Sequence, residues 1–273
     1  RHWWSDGTEF DLFTNKNNTF DEIRNVFGSN AANQYMEFFH NTEKMFTCFE
    51  KPVMKTVSPA PIEILKEICK TPTVIPALFP FRTLDKYLKS KFSEPKLQQL
   101  FGRYATYVGG SPLNSPALMA LVWQAEAKGV WTVKGGISSV AKAIERLAED
   151  RGVEFIYGHR VIEIQQSKHL VNKVCLDDGT NYEADAIIFN GDPRALALGL
   201  LGEGLRKVTK KTRNTPRSLS ANVWGFESKH VNKNLVHHNV FFSDEVNSEF
   251  DDIPQGKIPT DPTRDRCAHD RDV

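Results

Sequence analysis

Ala184-Asp185-Ala186-Ile187-Ile188-Phe189-Asn190-Gly191-Asp192-Pro193 is the stretch whose reading decides the fold class. Ala186 to Phe189 is a continuous apolar run, which reads as a strand buried on both faces, as in parallel sheets covered by helices. Asn190-Gly191-Asp192 follows at the carboxyl end of that strand, where open α/β sheets place ligands. The same three residues also suit a plain turn and helix cap, because Asn and Asp favour both.

Working back from this stretch, the pattern stays α/β. Ser138 to Arg151 is an amphipathic helix built on Val140, Ala141, Ile144, Leu147 and Ala148, and Gly152 stops it. Val153 to Ile156 reads as a strand. Val161–Gln166, Leu170–Leu176 and Asn181–Tyr182 read as a meander with Asp177-Asp178-Gly179 as a turn. Gly129 to Val133 is a further short strand, joined to the helix by the turn at Gly135-Gly136. Helix, strand, meander and buried strand in that order predict the later part of an α/β nucleotide-binding domain, a Rossmann-like arrangement. Forward of it come a short helix from Pro193 to Leu201, a basic stretch from Arg206 to Arg213, and strands at 218–227 and 239–243. The basic stretch reads as a solvated face, with lipid binding as its rival.

The first half is different in kind. From Phe20 to Met54 apolar residues recur at helical spacing and are rich in Phe and Met. Shorter helical pieces follow between Pro61 and Phe92, then Pro95–Tyr107 and Ser115–Glu126. This block reads as an insertion into the α/β domain. Three segments are therefore expected: a helix-rich region at 1–128 with an opening hairpin turned at Asp6-Gly7, part of a nucleotide-binding domain at 129–202, and strands of a second domain at 203–273. The chain opens at Arg1 directly inside the hairpin, so the expectation is of an internal fragment. Thr263 to Asp272 is too charged to be buried, and the last dozen residues are left unassigned.

Composition excludes several classes. The 273 residues carry 35 Lys and Arg against 34 Asp and Glu, so no global field recruits nucleic acid. The four cysteines, Cys48, Cys69, Cys175 and Cys267, form no CxxC pair, and no metal site is expected. His237-His238 does not change this, since neighbours on a strand point to opposite faces. No apolar run approaches the roughly 20 residues of a membrane-spanning helix.

Leu100-Phe101-Gly102-Arg103-Tyr104-Ala105-Thr106-Tyr107-Val108-Gly109-Gly110-Ser111-Pro112, with Ser115-Pro116-Ala117 after it, resembles the phytoene desaturase-type carotenoid desaturases of the FAD-dependent amine oxidase superfamily. The likeness is strongest to the branch containing the 1-hydroxycarotenoid 3,4-desaturases and methoxyneurosporene desaturases. Gly129–Gly136, Glu149–Phe155, 184–193 and His237–Ser243 agree in order and spacing.

The resemblance implies a flavin-binding α/β domain, a substrate domain with a mixed sheet, and an inserted, largely helical region that contacts the membrane. It also implies FAD, an apolar acyclic carotenoid substrate, and a place at the bacterial inner membrane on the cytoplasmic side. No GxGxxG is present, so the main phosphate-binding motif of FAD is expected to be absent and the chain alone to be inactive.

Among the residues present, the resemblance implies that Val161 meets the adenine end of FAD through its backbone. The positions implied to lie near the cofactor are Gly135, Gly136, Asn190, Gly191 and Asp192, against which stand the ordinary readings of strand residue, turn and cap. The Phe-rich block is the place for an apolar tunnel, with Phe38, Phe39, Phe46, Phe79 and Phe81 as its lining; the alternative is that Phe fills the core. Rival functions are another flavin amine oxidase-like oxidoreductase, acting on an amine or porphyrinogen, and a non-catalytic remnant.

Overall fold

The computed structural model describes residues 1–75, 82–167, 170–227 and 234–267. The chain is mixed α/β and divides into two compact units, Arg1–Thr132 with Ser218–Val273, and Val133–Arg217. Residues 203–217 thus belong with the second unit, and 218–273 with the first.

In the first unit the hairpin forms as read, with β1 (His2–Trp3) antiparallel to β2 (Glu9–Phe10) and Gly7 supplying the left-handed backbone of the turn. β1 also lies parallel to β6 (His238–Phe241), which pairs antiparallel with β7 (Arg264–Cys267), giving a mixed sheet in the order β2-β1-β6-β7. The charged C-terminal stretch is therefore a strand at its described positions, and none of its residues is buried, as its charge implies. An edge strand with side chains in solvent tolerates Arg264, Asp265 and Arg266, because its charges need not be buried.

The helical block is α1 (Lys16–Phe27), α2 (Ser29–Phe49), α3 (Pro61–Lys70), α4 (Leu84–Lys91), α5 (Pro95–Gly102) and α6 (Val122–Ala127). Asn15 caps α1 through its side chain on the amide of Asn17, and Gly28, at φ +92°, breaks α1 from α2. Pro52 does not stop α2 outright. The helix widens into a π-helical turn at Glu50–Met54, and Pro52 sits inside it.

The core of this unit is aromatic. Phe38 lies 4.7 Å from Phe101 and 5.0 Å from Phe92 between ring centroids, and Trp123 lies 5.2 Å from Phe101. Phe10, Ile23, Tyr35, Phe38 and Leu97 have no exposed surface.

In the second unit the meander forms as β3 (Val161–Ser167), β4 (Leu170–Leu176) and β5 (Asn181–Glu183), all antiparallel. Helices α7 (Ser138–Glu149) and α8 (Pro193–Ala197) accompany it. A small core of Ile164, Leu196 and Leu205 is covered by Val171, Ile187, Phe189 and Leu201.

Four expected strands do not form: 153–156 and 186–189 in the second unit, 218–227 in the first, and 129–133, which lies in the first unit up to Thr132. A strand needs a neighbour for its backbone amides and carbonyls, and among the described residues none pairs with these segments. Ile188, expected to be buried on both faces, is 94% exposed.

Candidate functional site

Every residue that the sequence singles out for a cofactor lies in the second unit. Gly135 and Gly136 form the turn before α7, each at φ +81°, a backbone conformation that side-chain-bearing residues avoid. A β-carbon at Gly136 would meet nothing within 4 Å, and no side chain caps α7. The turn leaves open space beside Gly136, but in the first turn of α7 the Ser139 and Val140 amides already donate to the Gly136 and Ile137 carbonyls at 3.0 Å. Ser139 Oγ donates to the Gly135 carbonyl at 3.1 Å and fixes the turn.

Val161 opens β3 opposite Leu176, and the ladder slips between Val161 and Glu163. That irregularity leaves Ile162 as the extra residue of a bulge, a device that frees backbone groups from the ladder.

Asp192 is a helix cap. Its Oδ1 accepts from the Arg194 amide at 2.9 Å, and its Oδ2 pairs with Arg217 at 2.6 Å. The Arg194 amide, then Arg217, hold its carboxyl below the usual range. Gly191 gives room to the Phe189 ring, whose tip would lie 2.4 Å from a β-carbon there and would have to move. Asn190 is exposed. Among the described residues no hydrogen bond or ion pair joins Gly135–Gly136, Val161 and 190–192 to one another.

In the first unit the tunnel expectation is corrected. Phe38 and Phe39 are buried among other rings and Phe46 is buried in the same core, so they fill it; Phe79 and Phe81 lie outside the described residues. Gly109-Gly110 is a packed junction. A β-carbon at Gly109 would lie 2.5 Å from Ser218 Cβ, one at Gly110 2.4 Å from Ser115 Oγ, and the Leu219 amide donates to the Gly109 carbonyl at 3.1 Å. Ser111 beside them has a buried hydroxyl without a hydrogen-bond partner.

A polar cluster that sequence reading missed surrounds this motif. Arg103, its side chain 14% exposed, pairs with Asp265 and donates to the Tyr107 hydroxyl at 3.3 Å. Glu126 accepts from Tyr104 at 3.0 Å and Tyr107 at 3.3 Å, and burial pushes both phenols above their ordinary values. The arrangement ties Arg103–Val108 to α6 and β7 by charge-assisted bonds in a partly dry site. Only the density of polar residues in Arg103-Tyr104-Ala105-Thr106-Tyr107 hinted at it. A second knot lies deeper, where Thr42 Oγ1 accepts from Trp123 Nε1 at 3.0 Å and Gln124 Nε2 at 2.9 Å.

No metal cluster includes His237-His238 among the described residues. His238 Nδ1 lies 3.5 Å from Cys267 Sγ. His159, Asp177 and Asp178 do gather at the surface, but the carboxylates also serve as turn caps for the amides of Arg160 and Thr180.

Residues 72–255 match the profile of the flavin containing amine oxidoreductases. The chain belongs to that family. It is 42% identical over 271 residues to a hydroxyneurosporene desaturase of Cereibacter sphaeroides, covering 99% of this chain and 55% of that protein. It is 33% identical to a 1-hydroxycarotenoid 3,4-desaturase of a Flavobacterium species, covering 96% and 53%, and 27% identical to a 4,4'-diaponeurosporene oxygenase of Staphylococcus aureus, again covering 96% and 53%. These likenesses bear out the resemblance to carotenoid desaturases, and they run across both units. The chain spans about half the length of these curated relatives. Among the described residues no helix is long and apolar enough to cross a membrane.

Proposed function

We propose that the chain is part of an FAD-dependent carotenoid desaturase acting on an acyclic, 1-hydroxylated or methoxylated carotenoid. The observation that carries this reading is the 42% identity, over almost the whole chain, to a relative named for such a desaturation. The flavin, when bound, supplies acceptance of a hydride equivalent from the hydrocarbon. This chain's own part is to hold and shield. The turn at Gly135-Gly136 allows close backbone approach at the start of α7, the backbone of Val161 beside the bulge meets the adenine end, and Asn190 to Asp192 line the approach. Segment 129–202 is then part of a Rossmann-like FAD domain, and 1–128 an inserted helical region serving the substrate and the membrane.

An apolar substrate that lives in a bilayer places the protein peripherally at the inner membrane of a bacterium, on its cytoplasmic side. α3 supports such contact, because Ile62 and Leu65 are more than half exposed while Ile64 and Ile68 pack inward.

The test is the full-length enzyme containing this segment, loaded with FAD and given a 1-hydroxylated acyclic carotenoid. The expected product absorbs at longer wavelength, and replacing Gly135 and Gly136 with Val lowers flavin retention. Oxidation of amines with no change in any acyclic carotenoid would sink the reading.

A further inference from the structure

The cluster around Arg103 closes a row of side chains that crosses the first unit's sheet. Phe10, His2, Val240 and Asp265 stand opposite one another on β2, β1, β6 and β7, so they share one face. Phe10 and Val240 have no exposed surface, and the His2 ring lies 5.9 Å from those of Phe10 and Phe242. Desolvation between those rings pulls the His2 imidazole down to about 3, so it is neutral at physiological pH. Asp265, at the open edge, is the charged member of an otherwise uncharged row.

Asp265 and Arg103 make an incomplete pair. A guanidinium and a carboxylate can form two parallel bonds, but here one nitrogen meets one oxygen, Nη2 to Oδ2. Nη1 donates to the Tyr107 hydroxyl at 3.3 Å, and that hydroxyl donates onward to Glu126. Among the described residues nothing bonds Asp265 Oδ1, Arg103 Nε or the second hydrogens of the terminal nitrogens. The guanidinium is thus fixed and largely buried, with donors to spare, beside a carboxylate oxygen that is also spare. Asp265, Tyr107 and Val108 are about half-exposed, so the pair can be reached from outside past the Tyr107 ring and the Val108 side chain. The dry face behind it strengthens any hydrogen bond made there.

We propose that the Arg103–Asp265 pair binds the oxygen at the end of an oxygenated acyclic carotenoid and so sets the preference for hydroxylated over unsubstituted chains. The assignment rests on the desaturase reading above and adds specificity-determining residues to it. A hydroxyl both accepts and donates: its oxygen takes a spare N–H of Arg103, and its hydrogen goes to Asp265 Oδ1. A methoxyl oxygen only accepts, so it engages Arg103 and leaves Asp265 Oδ1 unused. An unsubstituted end covers the guanidinium and gives its donors nothing, which is how a site built for a hydroxyl rejects the analogue that lacks one. Tyr107 and Val108 meet the hydrocarbon next to the oxygen.

The experiment uses the full-length enzyme containing this segment, loaded with FAD, and acyclic carotenoids of equal chain length ending in a 1-hydroxyl, a 1-methoxyl or an unsubstituted terminus. The wild type is expected to favour the hydroxylated over the unsubstituted substrate by at least about tenfold in kcat/KM, and Arg103→Met to cut that ratio by about tenfold. Asp265→Ala brings the hydroxylated substrate down to the level of the methoxylated one, because only the hydroxyl has a hydrogen to donate. Arg103→Lys restores part of the preference. If circular dichroism shows Arg103→Met unfolded, Asp265→Ala, at a half-exposed edge position, carries the test. A folded Arg103→Met that keeps the wild-type ratio, or that loses activity equally on all three substrates, overturns the assignment and leaves Arg103 a structural tie. A wild type that desaturates all three equally overturns this assignment alone. A wild type that desaturates none of them removes the desaturase reading, and this assignment with it.

Discussion

The first unit buries its aromatic helices, whereas the second leaves an equally patterned helix bare. α2 buries Tyr35, Phe38, Phe39, Met45, Phe46 and Phe49, with Tyr35 and Phe38 against the Phe101 ring of α5 and Phe39 against the Trp123 ring of α6. α7 has its apolar residues at the same helical spacing, yet none of its residues is buried, with Ile144 62% and Leu147 53% exposed. An apolar stripe records which face a helix is built to bury; it does not supply the surface that buries it. The contrast extends to extended chain. β6 finds neighbours on both sides and buries Asn239 and Val240, while 186–189 finds none and leaves Ile188 in solvent.

The largest effect expected from this contrast is at Phe38. Its ring sits among Tyr87, Phe92, Phe101 and Trp123, so Phe38→Ala opens a cavity that the surrounding rings cannot all close. The expected loss is about 3–5 kcal/mol in chemical denaturation. A loss below 1 kcal/mol would show that the cluster is loose and would restore the idea of a channel there.

How far the sequence could be read follows the same line. Elements that depend on near neighbours were legible: the hairpin turned at Asp6-Gly7, α1 and α2 by their period, and the meander by Asp177-Asp178-Gly179. Elements that depend on distant partners were not. The segments 153–156 and 186–189 have strand composition, but pairing is a property of the neighbour as much as of the segment. The charges of Arg264-Asp265-Arg266 rightly excluded burial; that an edge strand forms there depends on β6 as its neighbour.

The polar cluster was equally out of reach, because Arg103 and Asp265 are 162 residues apart and Thr42 and Trp123 are 81 apart. Of the residues assigned to a cofactor, Asp192 and Gly191 proved to have clear local duties as cap and packing glycine, duties that spacing alone had allowed. The basic stretch from Arg206 to Arg213 was legible, because its charge is local in sequence although the chain totals +1.

An intermediate effect is expected at Thr42. Its hydroxyl satisfies Trp123 and Gln124 at once and itself donates into the end of the preceding turn, at 2.9 Å to the Phe38 carbonyl or 3.0 Å to that of Phe39. Thr42→Val keeps the shape and removes the oxygen, leaving an indole N–H buried without a partner. The cost should be about 1–3 kcal/mol. Thr42→Ser should recover most of it, since the oxygen returns and only a methyl group is lost. Equal losses for Val and Ser would mean that packing, not hydrogen bonding, sets the role of Thr42.

The smallest effect is the most informative about the second unit. Ile144→Lys and Leu147→Lys place charges on the face of α7 that the sequence patterns for burial but the fold leaves exposed. Each should change the stability of this chain by less than about 0.5 kcal/mol, as surface substitutions do. It should also reduce self-association, seen as a lower sedimentation coefficient at high concentration, because an exposed apolar stripe is a site for aggregation. The same two substitutions in a full-length relative give the discriminating control. A loss of 2 kcal/mol or more there would show that additional chain covers α7; equal tolerance would show that the face stays open in the longer protein too. A large destabilisation of this chain itself would contradict the exposure of Ile144 and Leu147 and remove the contrast between the two units.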